Sequence, residues 1–311
     1  MLRITFCLAL MLAVAACQSG TQPDTETPQS RAEPVTLRPL GYDLKTPKAV
    51  FDLPSSLREI SGITYFRDGL LAAVQDERGD LFILDSRTGK VREQRVFGPN
   101  ADYEDLVYVD DRFYVLQSNG RVLTFRYDET FAPGGVLLGG ERSSRVLKIG
   151  VPEGSNVEGL GYDKKTDRLL LAIKEIKDAE EPEKRYVYFY DFGRKASWKG
   201  IVLSPMKFRQ EARLTGEAAV FNPSAVAVHP RTNEVFLLSS DGHKLLRIDR
   251  MGIIRSVAWI DATTFPQPEG LCFGPDGTLY LTSEGKKGAQ PGRLAVFEET
   301  PADATESAAA R

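Results

Sequence analysis

The chain has 311 residues, of which 42% are hydrophobic and 27% are charged, and its formal net charge is −3. This length is sufficient for one large domain with a substantial core. The weakly negative charge provides no basic face for nucleic acid, so nucleic-acid binding is excluded from the expected functions.

The first residues have the pattern of an export signal. Met1-Leu2-Arg3 carries one positive charge, and an apolar run follows from Ile4 to Ala16. That run is too short to cross a bilayer, which takes about twenty residues. The stretch Val14-Ala15-Ala16-Cys17 resembles the lipobox of bacterial lipoproteins, whose cysteine is acylated and becomes the first mature residue. We therefore predict a signal peptide over residues 1–16 and a lipid anchor on Cys17, with palmitate among its acyl chains.

The residue after the cysteine indicates which membrane holds the anchor. It is Gln18 rather than aspartate, which by resemblance to lipoproteins of two-membrane bacteria favours the outer membrane, facing the periplasm. Residues 17–46 are rich in Ser, Thr, Gln, Pro and Glu, so we predict a lipidated cysteine followed by a disordered tether. Residues 299–311 are predicted to be a disordered tail. The folded domain is then 47–298, and we expect it to be a monomer.

One sequence unit recurs along the domain and predicts its fold. It begins with an acidic residue, continues with a small or polar residue and runs into an apolar strand. Copies begin at Glu59, Glu104, Glu158 and Glu269, and a degenerate copy without the carboxylate begins at Ser224. In chain order, the five copies are separated by 45, 54, 66 and 45 residues.

Each copy leads through a turn rich in Gly, Asn, Asp or Pro into a second apolar strand, and further strands follow. Four antiparallel strands at this repeat length are typical of propeller blades. We predict an all-β, five-bladed β-propeller of four-stranded antiparallel blades, with Lys48–Leu53 supplying the outer strand of the last blade. Six blades are an alternative, because the 66-residue step could conceal one more. A β-sandwich or barrel is a weaker alternative, because neither demands this repeat.

The same repeat predicts a site. The first strands of all blades line the central channel in the same direction, so their leading residues should converge at one mouth. The predicted ring consists of Glu59, Glu104, Glu158 and Glu269. In an antiparallel hairpin the second strand ends beside the start of the first. The residues expected to join the mouth in this way are Asp76, Asn119, Lys174, Glu175, Asp241 and Glu284.

Several glutamates near one axis repel each other unless some are protonated or a cation lies among them. Oxygen ligands without histidine favour Ca²⁺ or Mg²⁺ over Zn²⁺, so either ion is the expected cofactor. Two alternatives stay open at this point. Lys174 could neutralise one carboxylate, or each glutamate could accept backbone hydrogen bonds from the adjoining blade and serve the fold alone.

The repeats resemble the SdiA-regulated (YjiK-like) family of β-propeller proteins. The segments that carry the resemblance are Leu57–Tyr65, Asp102–Leu106, Asn156–Tyr162, Pro268–Leu271 and Asp276–Glu284. The resemblance implies a propeller in the cell envelope with divalent-cation binding, and it implies no established reaction. Pro223-Ser224-Ala225 departs from the Ser-Gly that family members often carry there, so a complete ring of identical ligands is not expected.

We therefore expect a membrane-anchored envelope protein that binds a small-molecule or protein ligand at the mouth, together with a divalent cation. One alternative is a metal-dependent hydrolase of a phosphoester, ester or lactone, in which the cation activates a water and a glutamate acts as base. The other is a structural envelope scaffold. The sequence contains no G-x-S-x-G elbow and no P-loop.

Overall fold

The computed structural model describes residues 37–130, 145–286 and 288–300. The predicted signal peptide, Cys17, residues 18–36 and the tail from residue 301 lie outside this part of the chain. Within the described ranges, no helix is both long and apolar enough to span a membrane.

The described strands form five four-stranded antiparallel sheets. The first strand of the chain, β1 (Ala49–Asp52), belongs to the last sheet. Blade 1 contains β2 (Ile60–Arg67), β3 (Leu70–Gln75), β4 (Asp80–Asp85) and β5 (Val91–Val96). Blade 2 contains β6 (Tyr103–Val109), β7 (Arg112–Gln117), β8 (Val122–Arg126) and β9 (Arg145–Leu147). Blade 3 contains β10 (Ser155–Asp163), β11 (Arg168–Ile176), β12 (Arg185–Asp191) and β13 (Ala196–Leu203).

Blade 4 contains β14 (Pro223–Val228), β15 (Val235–Ser239), β16 (Lys244–Ile248) and β17 (Ile254–Trp259). Blade 5 contains β18 (Gln267–Phe273), β19 (Leu279–Glu284), β20 (Arg293–Phe297) and β1. The inner strands β2, β6, β10, β14 and β18 pack side by side in that order, and β18 returns to β2. The predicted five-bladed propeller is confirmed.

The core lies between neighbouring blades, which explains the unbroken apolar second strands. In β11, Leu170 and Ala172 pack against blade 4, whereas Leu169, Leu171 and Ile173 pack against blade 2. Both faces of the sheet are therefore covered, so successive residues are apolar instead of alternating with polar ones. The same arrangement recurs around the ring and leaves mainly the strand ends for chemistry.

The ring closes through β1, as predicted. This strand pairs antiparallel with β20, with Ala49 opposite Val296 and Asp52 opposite Arg293. A blade built from both ends of the domain ties the two ends together. Opening the ring would therefore require a full strand ladder to separate.

The predicted tether is too long. Leu40, Tyr42 and Leu44 are buried against blades 4 and 5, and the Tyr42 hydroxyl donates to the Gly277 carbonyl at 2.7 Å. Three alternating apolar side chains in an otherwise polar segment are sufficient to bind it to the domain. Residues 37–46 therefore belong to the folded part of the protein.

The six-blade alternative is wrong. The extra length between the third and fourth copies includes an insertion over residues 204–222, between β13 and β14. It contains a short α-helical turn, α1 (Pro205–Lys207), a π-helical turn (Phe208–Ala212) and a 3₁₀ turn (Gly216–Ala219). This insertion lies at the end of the propeller where the inner strands begin, which we call the mouth face.

Candidate functional site: the acidic channel mouth

A β-bulge near the start of every inner strand defines the site. The register shifts occur between Ile60 and Ile63, Tyr103 and Asp105, Val157 and Gly159, Pro223 and Ala225, and Pro268 and Gly270. A bulge leaves one residue unpaired and redirects its side chain. The residues at this position form what we call the inner ring: Ser61, Glu104, Glu158, Ser224 and Glu269.

Glu59 does not belong to this ring, contrary to the sequence alignment of the copies. The strand register aligns Gly62 with Gly159 and Gly270, so the counterpart of Glu158 and Glu269 in blade 1 is Ser61. Glu59 lies two residues earlier, before the strand begins. The acidic residue directly precedes the glycine in blades 3 and 5, but Glu59 precedes Gly62 by three positions.

Close approach of neighbouring inner strands explains the residue after the bulge. A Cβ atom on Gly159 would lie 2.8 Å from the Val226 nitrogen, and one on Gly270 would lie 2.7 Å from the Ser61 carbonyl oxygen. No real side chain tolerates such distances without movement of the backbone. The motif glycine therefore serves ring packing.

Blade 2 has Asp105 at the glycine position, and this carboxylate connects two blades. It is 1% exposed and accepts hydrogen bonds from the Leu160 nitrogen at 2.7 Å and the Leu106 nitrogen at 2.8 Å. In blade 4, the Ser224 hydroxyl donates to the Pro268 carbonyl at 2.9 Å. In the described part of the chain, Asp105 thus accepts the backbone hydrogen bond from the adjoining blade that one alternative had assigned to the glutamates.

Two further rings surround the inner ring. In each blade, the inner-strand residue just before the bulge pairs with one residue of the second strand, and the residue that follows this partner belongs to what we call the hairpin ring: Asp76, Ser118, Lys174, Ser240 and Glu284. The residues two positions before the inner ring form the outer ring: Glu59, Asp102, Asn156, Asn222 and Gln267. The structure therefore brings together, at one end of the channel, the predicted glutamates and three of the six predicted mouth residues, Asp76, Lys174 and Glu284.

Three predicted mouth residues lie farther out. Asn119 is exposed, and its side-chain oxygen accepts from the Arg121 nitrogen at 3.0 Å, so it stabilises the turn before β8. Glu175 is exposed and lies opposite Asn156. Asp241 is exposed and accepts from the Asn222 side chain at 3.1 Å. Ser118, and not Asn119, is the counterpart of Asp76.

Negative charge is concentrated on one side of the mouth. Blades 5, 1 and 2 contribute six carboxylates to the three rings and no basic residue: Glu59, Asp76, Asp102, Glu104, Glu269 and Glu284. In blade 3, the Lys174 ammonium lies 3.4 Å from Glu158, which also accepts from Asn156 at 2.7 Å. Blade 4 contributes only neutral side chains to the rings. The potential at the mouth is therefore asymmetric.

Burial and mutual repulsion raise the pKa values of four of these carboxyl groups. Burial, followed by the charges of Glu158 and other neighbours, raises the pKa of Glu104 to about 9. Burial and the charge of Glu269 raise the pKa of Glu284 to about 8. Burial and the Glu158 charge raise the pKa of Glu269 to about 7, although the side chains of Gln267 and Ser240 oppose this by hydrogen bonding.

Asp76 belongs to the same electrostatic cluster. Burial, Glu59 and Glu77 raise its pKa to about 6, and its Oδ1 atom is buried without a hydrogen-bond partner in the described part of the chain. Lys174 has the opposite role. Burial by itself would lower its pKa, but Glu158, Glu269 and Asp241 raise it, so the ammonium form is stabilised.

The arrangement can hold protons or a cation, but it is not a preformed coordination shell. Across the described residues, no group of three or more His, Cys, Asp or Glu side chains is arranged to hold a metal ion. Carboxylates that repel each other and carry raised pKa values can exchange protons for a cation once their side chains rotate towards it.

Most of the outer ring, and Ser61 of the inner ring, were not among the residues predicted from the sequence. The signal was present: aligned on Gly62, Gly159 and Gly270, all five copies carry a polar residue two positions before the inner ring. Asp102, Asn156, Asn222 and Gln267 would then have been grouped with Glu59. The copies differ in charge, so a search for repeated acidic residues overlooked them.

The fold and the mouth define the class: a five-bladed β-propeller with a ringed, acidic channel end. The sequence model of the SdiA-regulated family matches residues 42–287, so the chain belongs to the SdiA-regulated family. This confirms the resemblance seen in the repeats. No curated protein matches the chain significantly.

Two solved structures share the fold at low sequence identity. The glutaminyl cyclase of Myxococcus xanthus is 14% identical with a TM-score of 0.53, over 82% of this chain and 97% of that one. A luciferin-regenerating enzyme is 12% identical with a TM-score of 0.50, over 83% of this chain and 96% of that one. At these identities the similarity concerns the fold alone.

Proposed function

We propose that this protein is a membrane-anchored envelope propeller that binds a ligand or partner at its acidic mouth, with Ca²⁺ or Mg²⁺ as the cation. The observation that carries the proposal is the concentration of six carboxylates, on blades 5, 1 and 2, with no basic residue among them in the three rings. Such a cluster attracts a cation strongly where the surroundings are partly buried.

The raised pKa values support a cation that displaces protons. At pH 7 the carboxyl groups of Glu104 and Glu284, with pKa values of about 9 and 8, are largely protonated. A divalent cation among them would offset their repulsion and release those protons. Affinity for the cation should therefore rise with pH between about 6 and 9.

The charges on blades 3 and 4 support a position for the proposed cation on the opposite side of the mouth. Glu158 already has an ammonium partner in Lys174, at 3.4 Å. We therefore expect the cation between blades 5, 1 and 2, off the channel axis. Oxygen ligands of this type are preferred by Ca²⁺ and Mg²⁺.

Calorimetry tests this proposal. Ca²⁺ and Mg²⁺ are titrated into the purified protein at pH 6 and pH 8, in two buffers with different enthalpies of ionisation. We expect tighter binding at pH 8 and net release of protons. Glu104→Gln and Glu269→Gln should weaken binding at least tenfold, whereas Glu153→Gln, on an exposed loop, should leave it unchanged. Failure of both ions to bind at pH 8 would eliminate the cation.

A metal-dependent hydrolase is the second candidate, and Glu269 favours it. A carboxyl group with a pKa of about 7 is half ionised at neutral pH and is suited to act as a general base. Turnover of a panel of phosphoesters, esters and lactones, lost in Glu269→Gln, would support it. Cation binding without turnover would favour the binding protein. Absence of both would leave the structural envelope scaffold.

The membrane anchor is proposed from the sequence Val14-Ala15-Ala16-Cys17. In the native host, labelled palmitate should be incorporated into the wild-type protein but not into Cys17→Ala. Fractionation should place the wild type in the outer membrane. A wild-type protein without label would contradict the anchor and leave the proposed mouth chemistry unaffected.

A further inference from the structure

Residues of β12, β13 and the insertion over residues 204–222 enclose a cavity on the mouth face. Its volume is about 350 Å³, at the lower end of the range for small-molecule pockets. Four of the lining side chains are both apolar and buried: Leu203, Phe208, Ala219 and Phe221. These side chains make the cavity suited to the apolar part of a ligand, because its burial there removes apolar surface from water.

Specific contacts hold the insertion in place around the cavity. The Ser204 side chain accepts from the Lys207 backbone nitrogen at 3.2 Å and begins the first turn. Glu211 accepts from the Ile254 nitrogen at 2.8 Å, which ties the π-helical turn to blade 4. The Lys207 ammonium donates to the same carboxylate at 2.7 Å, so these two charges offset each other. The protein itself therefore fixes the wall, and a ligand need not order it.

The charged groups at the cavity are mainly cationic. Arg185 and Arg209 line it, together with a single carboxylate, that of the exposed residue Glu183. Lys244 adds a third cation, because its ammonium donates to the carbonyl oxygen of the lining residue Val220 at 2.8 Å. Three cationic side chains thus stand against one carboxylate at a cavity with apolar walls.

Lys244 is the most unusual of these groups. It is 2% exposed, and across the described ranges its ammonium has no carboxylate partner and no hydrogen-bond acceptor other than the Val220 carbonyl. Burial lowers the pKa of this ammonium group. A buried charge without an opposite charge is costly, and its field is screened less than that of a surface charge. An anion in the cavity would offset that cost.

Acidic neighbours offset the charge of Arg185. Its guanidinium donates to the Asn222 side-chain oxygen at 2.7 Å and to the Pro182 carbonyl at 2.6 Å. Three carboxylates act on its charge, of which only that of Glu183 lines the cavity: Glu175, Glu183 and Asp241. Arg185 therefore positions the wall, and the uncompensated positive charge at the cavity is that of Arg209 and Lys244.

Arg209 can bind an anion directly. It is exposed, and in the part of the chain that the structure describes its guanidinium forms no ion pair. A free guanidinium edge offers two parallel N–H groups, which match the two oxygens of a carboxylate. Beside it the rim is apolar, since the lining residue Val220 is 48% exposed and Met206 is 64% exposed. An apolar space with a cation at its edge matches a molecule that has an apolar part and a negative end.

We propose that the cavity binds an organic carboxylate, an aliphatic or aromatic acid whose apolar part lies against Phe208 and Phe221 and whose carboxylate lies at the guanidinium of Arg209. The buried ammonium of Lys244 adds to the attraction for the negative end. This site is separate from the cation site proposed among the carboxylates of blades 5, 1 and 2, and it goes beyond that function.

The test uses calorimetry of the purified protein with three probes of similar size: 4-phenylbutyrate, 4-phenylbutanol and 4-phenylbutylammonium. We expect the carboxylate to bind at least tenfold more tightly than the alcohol and the ammonium ion to bind most weakly. Thr215→Trp fills the cavity from an exposed position and should weaken carboxylate binding at least tenfold. Thr46→Trp, exposed on the N-terminal segment, is the matched control.

Two variants test the selection of charge. Arg209→Gln should weaken carboxylate binding at least fivefold and leave alcohol binding unchanged, because it removes the guanidinium and not the apolar lining. Arg213→Gln, exposed on the same insertion but outside the lining, is its control and should bind all three probes like the wild type. Lys244→Met keeps the length of the side chain without its charge and should also weaken carboxylate binding.

Selective carboxylate binding that falls in Arg209→Gln and Thr215→Trp, but not in their controls, supports the site. Equal or tighter binding of the alcohol or the ammonium ion overturns it. So does the absence of carboxylate binding at millimolar concentration, or unchanged carboxylate binding in any of the three folded variants at Arg209, Thr215 and Lys244. If Lys244→Met does not fold, Arg209→Gln and Thr215→Trp, both at exposed positions, decide the question. Ca²⁺ binding at the mouth has no part in the decision.

Discussion

Replacing Glu104 with glutamine should stabilise the protein near neutral pH, and the gain should grow with pH. Burial and the charges of Glu158, Asp102 and Glu269 raise the pKa of Glu104 from 4.5 to about 9. The folded state therefore holds a proton that the unfolded state releases above pH 4.5. The contribution of this one proton to folding stability is fully present below pH 4.5 and is lost as the pH rises towards 9.

The magnitude follows from the pKa difference. Each pH unit between the two pKa values removes about 1.4 kcal/mol of stability. From pH 4.5 to pH 7 the loss would reach about 3 kcal/mol, and solvent screening of the partly exposed side chain reduces it to about 2 kcal/mol. Glutamine has a similar shape and does not titrate, so the variant avoids this loss. At pH 5 the two proteins should differ by less than about 1 kcal/mol.

Urea unfolding at pH 5, 7 and 9 measures the effect, with Glu153→Gln as the exposed control. If the variant and the wild type have equal m values, the difference between their free energies of unfolding reports a change in stability alone. Addition of Ca²⁺ provides a second readout, because a bound cation should stabilise the wild type more than the variant. The reasoning would be refuted if the difference in free energy of unfolding between the variant and the wild type were the same at all three pH values. A smaller gain in the variant at pH 9 than at pH 5 would also refute it.

Three further predictions concern buried residues of the propeller. Gly159→Ala would place a Cβ atom 2.8 Å from the Val226 nitrogen and should lower the free energy of unfolding by about 2 kcal/mol. The control variant Gly193→Ala, at an exposed position, should change it little. Asp105→Ala orphans two buried backbone N–H groups and should cost about 2–4 kcal/mol in urea unfolding, and Asp105→Asn, which keeps one acceptor, should cost less. Burial and nearby arginines lower the pKa of His229 to about 4, so stability should fall as the pH drops from 6.5 towards 4. His229→Gln should show no such loss in that interval, and an identical pH profile would contradict this explanation.

The sequence by itself determined the architecture. Its five copies of one strand-turn-strand unit specified five blades, since unbroken apolar strands such as Leu169–Ile173 need a neighbour on both faces. It also identified Lys48–Leu53 as the closing strand and named the four glutamates. These features are local, because they depend on the spacing of residues within one copy and on the period of a strand.

Only the tertiary structure decided which residues meet. Ser61, and not Glu59, holds the inner-ring position of blade 1, because the register of a bulge is set by pairing with the second strand and by contact with the next blade. Leu40, Tyr42 and Leu44 pack against the domain instead of forming part of a tether. The extra length that suggested a sixth blade forms an insertion with a cavity. The raised pKa of Glu104 likewise arises from charges on other blades and from burial, which no spacing within a single copy encodes.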